Sequence, residues 1–234
     1  MAGKIIIVNG TSGAGKSTAC ELFAKRREDF WLLFGIDHFL ANTFPARYSH
    51  HGPRARQGIY SHPVDDADPG GTLRWSFGDK GWQAMRTYHE WIAAASRQGC
   101  NIVVDHLLMT DPPVLADCAW RFSGLPVLLV TLTVPRDVLM DRLANRTMDK
   151  KLPAAEIYGD EGARRAIEKL GRLRPWFYDS VYANDCCDLE IDTGRCDPGR
   201  VCDLIDRRLA EGPGTSLDAL RRRYPRPDGD TAGP

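Results

Sequence analysis

Gly10-Thr11-Ser12-Gly13-Ala14-Gly15-Lys16-Ser17-Thr18 lies directly behind the apolar run Ile5-Ile6-Ile7-Val8, and its reading decides the fold. The stretch satisfies G-x-x-x-x-G-K-[ST] through Gly10, Gly15, Lys16 and Ser17, with a buried strand before it and a helix after it. That is the setting of a phosphate cradle. Gly10, Gly13 and Gly15 allow positive φ and close approach, so successive backbone N–H groups can point inward as donors. Lys16 has the reach for β- and γ-phosphates, and the Ser17 hydroxyl is placed to ligate Mg²⁺. The helix beginning near Lys16 adds its positive end. A purely structural Gly/Ser turn needs neither Lys16 nor Ser17.

Outward from this loop, Lys4 to Val8 reads as a parallel strand covered on both faces, the first and a central one. Ser17 to Arg27 has helical spacing through Ala19, Leu22 and Phe23. Trp31 to Ile36 is a second buried strand with Asp37 at its carboxyl end, facing the crevice where Lys16 lies. Between residues 41 and 80 the periodicity disappears among prolines, histidines and aromatics, including Phe44, Tyr48, Tyr60, Trp75 and Phe77. So aromatic a segment is poorly suited to disorder, and it predicts an insert that walls an acceptor pocket. Gly81 to Arg97 is helical, and Asn101 to Val104 is a third strand with Asp105 and His106 at its tip. A short helix follows Pro112-Pro113, then a strand over Pro126 to Thr133 and a helix over Pro135 to Arg146. Residues 147–163 read as a mobile lid with Gly159 and Gly162, and Arg164 to Trp176 as a helix. Asp188 to Ile191 is the last strand, and Asp197 caps the closing helix. The expected organisation is one domain over 1–212 and a weakly ordered tail over 213–234, where Arg221-Arg222-Arg223 form a solvated helix face.

Composition narrows the function classes. Lys+Arg and Asp+Glu both number 31, so no global field draws the chain to nucleic acid or to an anionic membrane. The seven cysteines have no metal-ligand spacing and suit a reducing compartment, and no long apolar run is present, which together predict a cytoplasmic protein. The guanine-reading N-K-x-D is missing, and the chain is short for a motor. What remains is a small phosphoryl-transfer enzyme using ATP and Mg²⁺ on a hydroxylated small molecule. A nucleic-acid or nucleoside 5′-hydroxyl kinase and a non-catalytic nucleotide-binding protein are the alternatives.

Three positions carry the chemistry beyond the loop. Asp37 is either a helix N-cap or the general base that takes the proton of an attacking hydroxyl. Asp105 is either a turn residue or a carboxylate held to Mg²⁺. Arg142 and Arg146, spaced i and i+4, are either a solvated face or cations for charge developing on the transferred phosphoryl group. His50, His51 and His62 lack zinc-ligand spacing.

In order and spacing, I-V-N-G-T-S-G-A-G-K-S-T, W-L-L-F-G-I-D, N-I-V-V-D-H, R-x-x-x-R at Arg142 and Arg146, and C-D-L-E-I-D-T resemble the chloramphenicol phosphotransferase-like P-loop kinases. The likeness runs over about residues 4 to 210. It implies a three-layer α/β sandwich of the P-loop, shikimate-kinase-like type with a central parallel sheet of about five strands. It also implies Asp37 as the base and favours a functional Arg142 and Arg146, with an antibiotic or related natural product as acceptor. The family's lid commonly reads R-G-D-R after the second arginine, whereas Arg146 is followed here by Thr147-Met148-Asp149-Lys150.

Overall fold

A run of four aliphatic residues has no polar side to turn to water, so the first strand must be covered on both faces. In the computed structural model, which describes residues 1–50, 52–144 and 153–226 without the side chains of 144, 153–158, 160, 163 and 166, this strand is β1 (Ile5–Asn9). Ile5, Ile6, Ile7 and Val8 have no solvent exposure. Burying side chains of this size contributes about 1.5–3 kcal/mol each. β1 is the middle of a five-stranded parallel sheet in the order β2 (Trp31–Gly35), β5 (Asn101–His106), β1, β6 (Val127–Thr133), β7 (Leu189–Asp192).

Alternation along β1 builds the layers. Ile5 and Ile7 enter one core with Met85, Tyr88 and Ile92 of α3 (Asp79–Arg97) and with Leu115 and Cys118 of α4 (Val114–Arg121). Ile6 and Val8 enter the other, with Cys20 and Phe23 of α1 (Lys16–Lys25), Leu139 of α5 (Arg136–Ala144) and Ile205 of α7 (Pro198–Ala210). The three-layer sandwich with its parallel sheet of five strands is therefore as the sequence predicts. Register levels the strand ends: Val8 pairs with Asp105, and Gly35 pairs with Asp105 from the other side. The glycine loop, Asp105 and the chain leaving β2 thus emerge at one edge of the sheet.

Four expectations need correction. β2 stops at Gly35, and Ile36–Asn42 form helix α2, so Asp37 stands in a helical first turn rather than on a strand tip. The insert contains an antiparallel hairpin, β3 (Ile59–Pro63) and β4 (Leu73–Phe77). Its Phe44 and Phe77 are buried in the core instead of walling an open pocket, and Trp75 lies edge-on to Phe177 with ring centroids 4.7 Å apart. Helix α6 spans Pro153–Tyr182, with non-helical φ/ψ at Gly159 and with Pro175 inside, so the supposed lid is helical from residue 153 onward. Arg146 and residues 147–152 of that segment lie outside the described residues.

The tail is the fourth. Ser216–Arg223 form α8, whose Leu217 and Leu220 join the core beside α4. The Asp188 carboxylate organises this docking by accepting from the backbone N–H of Leu129, Thr215 and Ser216 and from the Ser216 hydroxyl, at 2.8–2.9 Å. Of the three arginines, Arg221 is drawn in and donates to Ala119 O, whereas Arg222 and Arg223 are exposed as expected, Arg223 pairing with the exposed Asp185. Among the described residues no helix is long and apolar enough to cross a membrane, and all seven cysteines are free thiols.

Candidate active site

The backbone at the carboxyl edge of β1 demands glycine at Gly10, Gly13 and Gly15. A Cβ on Gly10 would meet Leu132 O at 2.7 Å, and Gly15, with φ of 92°, caps α1 from the left-handed region. The loop so formed turns directly into α1, which places Lys16 and Ser17 in the helix's first turn. Lys16 is only 8% exposed: its Nζ donates to Thr11 O at 3.2 Å and lies 3.7 Å from Asp105 Oδ1. The Ser17 hydroxyl donates to the other carboxylate oxygen of Asp105. β5 thus delivers a nearly buried carboxylate onto both functional side chains of the loop, as a metal-holding residue requires.

A hydroxyl and a carboxylate side by side are hard oxygen donors of the kind Mg²⁺ takes, completed by phosphate oxygens and water. Among the described residues no group of three or more His, Cys, Asp or Glu gathers as an all-protein metal site. The donor set therefore fits a magnesium ion that arrives with a nucleotide.

Two clefts flank the loop. One is lined by Ser12, Lys16, Ser17, Ile36, Asp37 and Leu107, so the exposed Asp37 shares a cavity with the lysine and the metal donors. The N-cap of α2 is Gly35, which removes the capping alternative for Asp37. The other cleft, about 240 Å³, lies on the opposite side of Gly13, Gly15 and Thr18, with Ala19, Leu132 and Val201 as apolar walls and Arg142 and Thr193 as polar ones. Arg142 is fixed there by bonds to the hydroxyl and carbonyl oxygens of Thr193 and a 3.5 Å contact to Gly13 O. Arg142 and Asp37 are therefore on different flanks, an arrangement that residue spacing does not reveal.

Two supports were not foreseen. The Tyr182 hydroxyl, at the end of α6, accepts from Thr11 N at 3.3 Å and donates to Leu132 O at 2.7 Å, pinning the start of the loop to β6. Burial pushes the pKa of this phenol up to about 12, so it remains a donor. Behind Asp105, His106 Nδ1 accepts from Leu107 N at 2.8 Å, which puts its proton on Nε2. His106 Nε2 then donates to His89 Nε2 at 2.9 Å, and His89 Nδ1 donates to Asp117 at 2.6 Å. Burial, and then the neighbouring His89, hold the His106 pKa well below the usual histidine range. Burial opposes the Asp117 carboxylate, but the His89 hydrogen bond and the Arg121 charge outweigh it and lower its pKa. The sequence signal for this buried relay was His106 beside Asp105. His89, on a helical core face, gave none.

Comparison with known proteins agrees with this geometry. The family profile described as "Chloramphenicol phosphotransferase-like protein" matches residues 3–210. A Mycobacterium tuberculosis (strain H37Rv) protein, provisionally named an O-phosphotransferase, is 26% identical over 197 residues, covering 82% of this chain and 75% of the relative. Among solved structures, the Mycobacterium tuberculosis APS kinase in complex with AMPPNP and APS is similar at a TM-score of 0.54 and 15% identity, over 89% of this chain and 98% of that one. The Acinetobacter baumannii shikimate kinase with shikimate has a TM-score of 0.45 at 16% identity, over 90% and 94% of the two chains. The first of these two likenesses is one of fold.

Proposed function

Since the chain belongs to the chloramphenicol phosphotransferase-like family, a family of P-loop phosphotransferases, we propose that it transfers the γ-phosphoryl group of ATP to a hydroxyl of a small natural product, an antibiotic or a relative of one. The observation that carries this reading is the cleft in which Lys16, Ser17 and Asp37 meet, with Asp105 bonded to the first two. In the chemistry proposed, the acceptor oxygen attacks the γ-phosphorus while its proton passes to the Asp37 carboxylate. The bond from that phosphorus to the β–γ bridging oxygen breaks, and ADP leaves. Lys16, released from Thr11 O, meets the charge developing on the phosphoryl oxygens, and the N–H groups of Gly13, Gly15, Lys16 and Ser17 hold the β-phosphate. Magnesium, held by Ser17 and Asp105, supplies charge neutralisation when bound.

Arg142 takes a different part from the one expected of it. A planar guanidinium fixed over an apolar cleft is a stacking platform for a purine, so Arg142 with Leu132 and Val201 receives the base on the flank away from Asp37. Arg146 and the segment at 147–163 remain the proposed source of cations and closure at the phosphates. The insert remains the proposed selector of the acceptor. The test is a screen of hydroxylated natural products with ATP and Mg²⁺, read by mass spectrometry for the gain of one phosphate. Wild-type protein is expected to convert at least one compound and Lys16→Ala none. Equal conversion by Lys16→Ala would overturn the assignment.

A further inference from the structure

A half-buried cation without a carboxylate partner and two buried polar atoms lie where the insert meets α6. Lys169 is half-buried, and its Nζ donates to His50 O at 3.1 Å. Among the described residues no carboxylate lies within ion-pair distance of it. The charged neighbour acting on Lys169 is another cation, Arg172, whose guanidinium is engaged by the carbonyls of Gly71 and Pro69. The His50 ring lies 4.9 Å from that of Trp75, and Trp75 packs on Phe177 of the same helix. Across the hairpin, Trp75 pairs with Ser61, so their side chains project from one face. Both polar atoms of that pair, Trp75 Nε1 and Ser61 Oγ, are buried and have no partner among the described residues.

These facts share one sign. An ammonium, an indole N–H and a hydroxyl are brought into one seam through His50 and the Ser61–Trp75 pair, and among the described residues no carboxylate pairs with Lys169. Each buried unmade hydrogen bond costs about 1–3 kcal/mol, and a half-buried cation with only a carbonyl partner adds to it. Burial, then Arg172, lowers the pKa of Lys169, in keeping with a cation lacking its counter-ion. An oxyanion is the ligand chemistry that such donors call for.

We infer that the seam formed by Lys169, Ser61 and Trp75 is an oxyanion-binding site, and, resting on the phosphotransferase reading, that it takes an acidic group of the acceptor. About 20 Å of helix, at 1.5 Å per residue, separates Lys169 from Tyr182 at the glycine loop. The acceptor is then an extended molecule with its phosphorylated hydroxyl and its carboxylate, sulfate or phosphate at opposite ends.

The chain contains six tryptophans, so the full-length protein gives a small set of indole N–H resonances, with that of Trp75 assigned by its loss in Trp75→Phe. Mg²⁺ and AMPPNP are kept saturating to fill the glycine loop, and sulfate, phosphate or acetate is titrated against chloride at constant ionic strength. The expected result is a saturable movement of the Trp75 resonance, at least 10-fold weaker in apparent affinity in Lys169→Met and Ser61→Ala and retained in Lys169→Arg. A non-saturable movement, or one unchanged in both loss variants, overturns the site and leaves the seam to water. Movement in a protein that binds no AMPPNP would instead sink the phosphotransferase reading and keep the site. For the acceptor, Lys169→Met should raise the KM of an acidic compound found in the screen at least 10-fold with kcat held. A neutral acceptor with unchanged KM refutes that half.

Discussion

Tyr182→Phe removes one oxygen and isolates what α6 does for the glycine loop. The ring and its edge-on contact with Tyr178, at 4.8 Å between centroids, are kept. Lost are the bond from Thr11 N and the bond to Leu132 O, and both of those residues are almost without exposure, Thr11 at 2% and Leu132 at 0%. Leaving a buried donor and a buried acceptor unmade costs about 1–3 kcal/mol each, and the long 3.3 Å bond counts toward the low end. The expected loss is about 2–4 kcal/mol, which for a chain of this size lowers Tm by about 4–16 °C. The phenol also gives a pH signature. Its pKa is raised to about 12 in the folded protein against about 10 unfolded, so the folded state holds the extra proton between those values. Its stabilisation is therefore complete below pH ~10 and lost as pH rises toward ~12, by about 2–3 kcal/mol in all. Denaturant titrations of both proteins from pH 8 to 12 should show the gap between them closing over that window. A Tm within 1 °C of wild type, or a gap independent of pH, would refute the assignment of Tyr182 as the tie between α6 and the loop.

Three further outcomes are expected. Arg142→Ala should weaken ATP and ADP binding about 10-fold, by calorimetry, with little change in kcat, if the cleft it lines takes the base as proposed. His89→Phe should cost about 1–3 kcal/mol by leaving His106 Nε2 unpaired and taking one donor from Asp117, which keeps Arg121, whereas Gln at that position can accept from His106 and donate to Asp117 and should recover most of it; equal losses would break the relay. Asp188→Ala should release α8, seen as rapid proteolysis after Gly212, with nucleotide affinity unchanged.

The parts of this molecule that were legible in sequence are those where local pattern and tertiary role coincide. β1 is apolar on both faces because it is central, and its loop carries Gly, Lys and Ser because phosphate needs them, so strand, loop and helix announced themselves together. Asp105 was readable for the same reason, as a carboxylate at the end of a strand that could only be buried. The hairpin was not, because its two strands are five residues each and carry Pro63, His62 and Arg74, which dilute the alternation of Ile59, Ser61 and Pro63 against Leu73, Trp75 and Phe77. The insert's aromatics misled for a related reason: a side chain that walls a pocket and one that fills a core have the same composition. Asp188, Tyr182 and His89 work through partners 17 to 171 residues away, and nothing local marks them.

On the proposed reading one glycine loop separates two tasks, holding the base of ATP on the Arg142 flank and transferring its phosphate on the Asp37 flank. Asp37→Asn tests it most directly, since the amide keeps the shape and removes the basic oxygen. With an acceptor from the screen, steady-state kinetics should show kcat lowered by about 10²–10⁴-fold. Calorimetry with AMPPNP should show nucleotide affinity unchanged within a factor of about two, because Asp37 does not line the cleft proposed for the base. A kcat equal to that of wild type, or a loss confined to nucleotide affinity, would contradict the account.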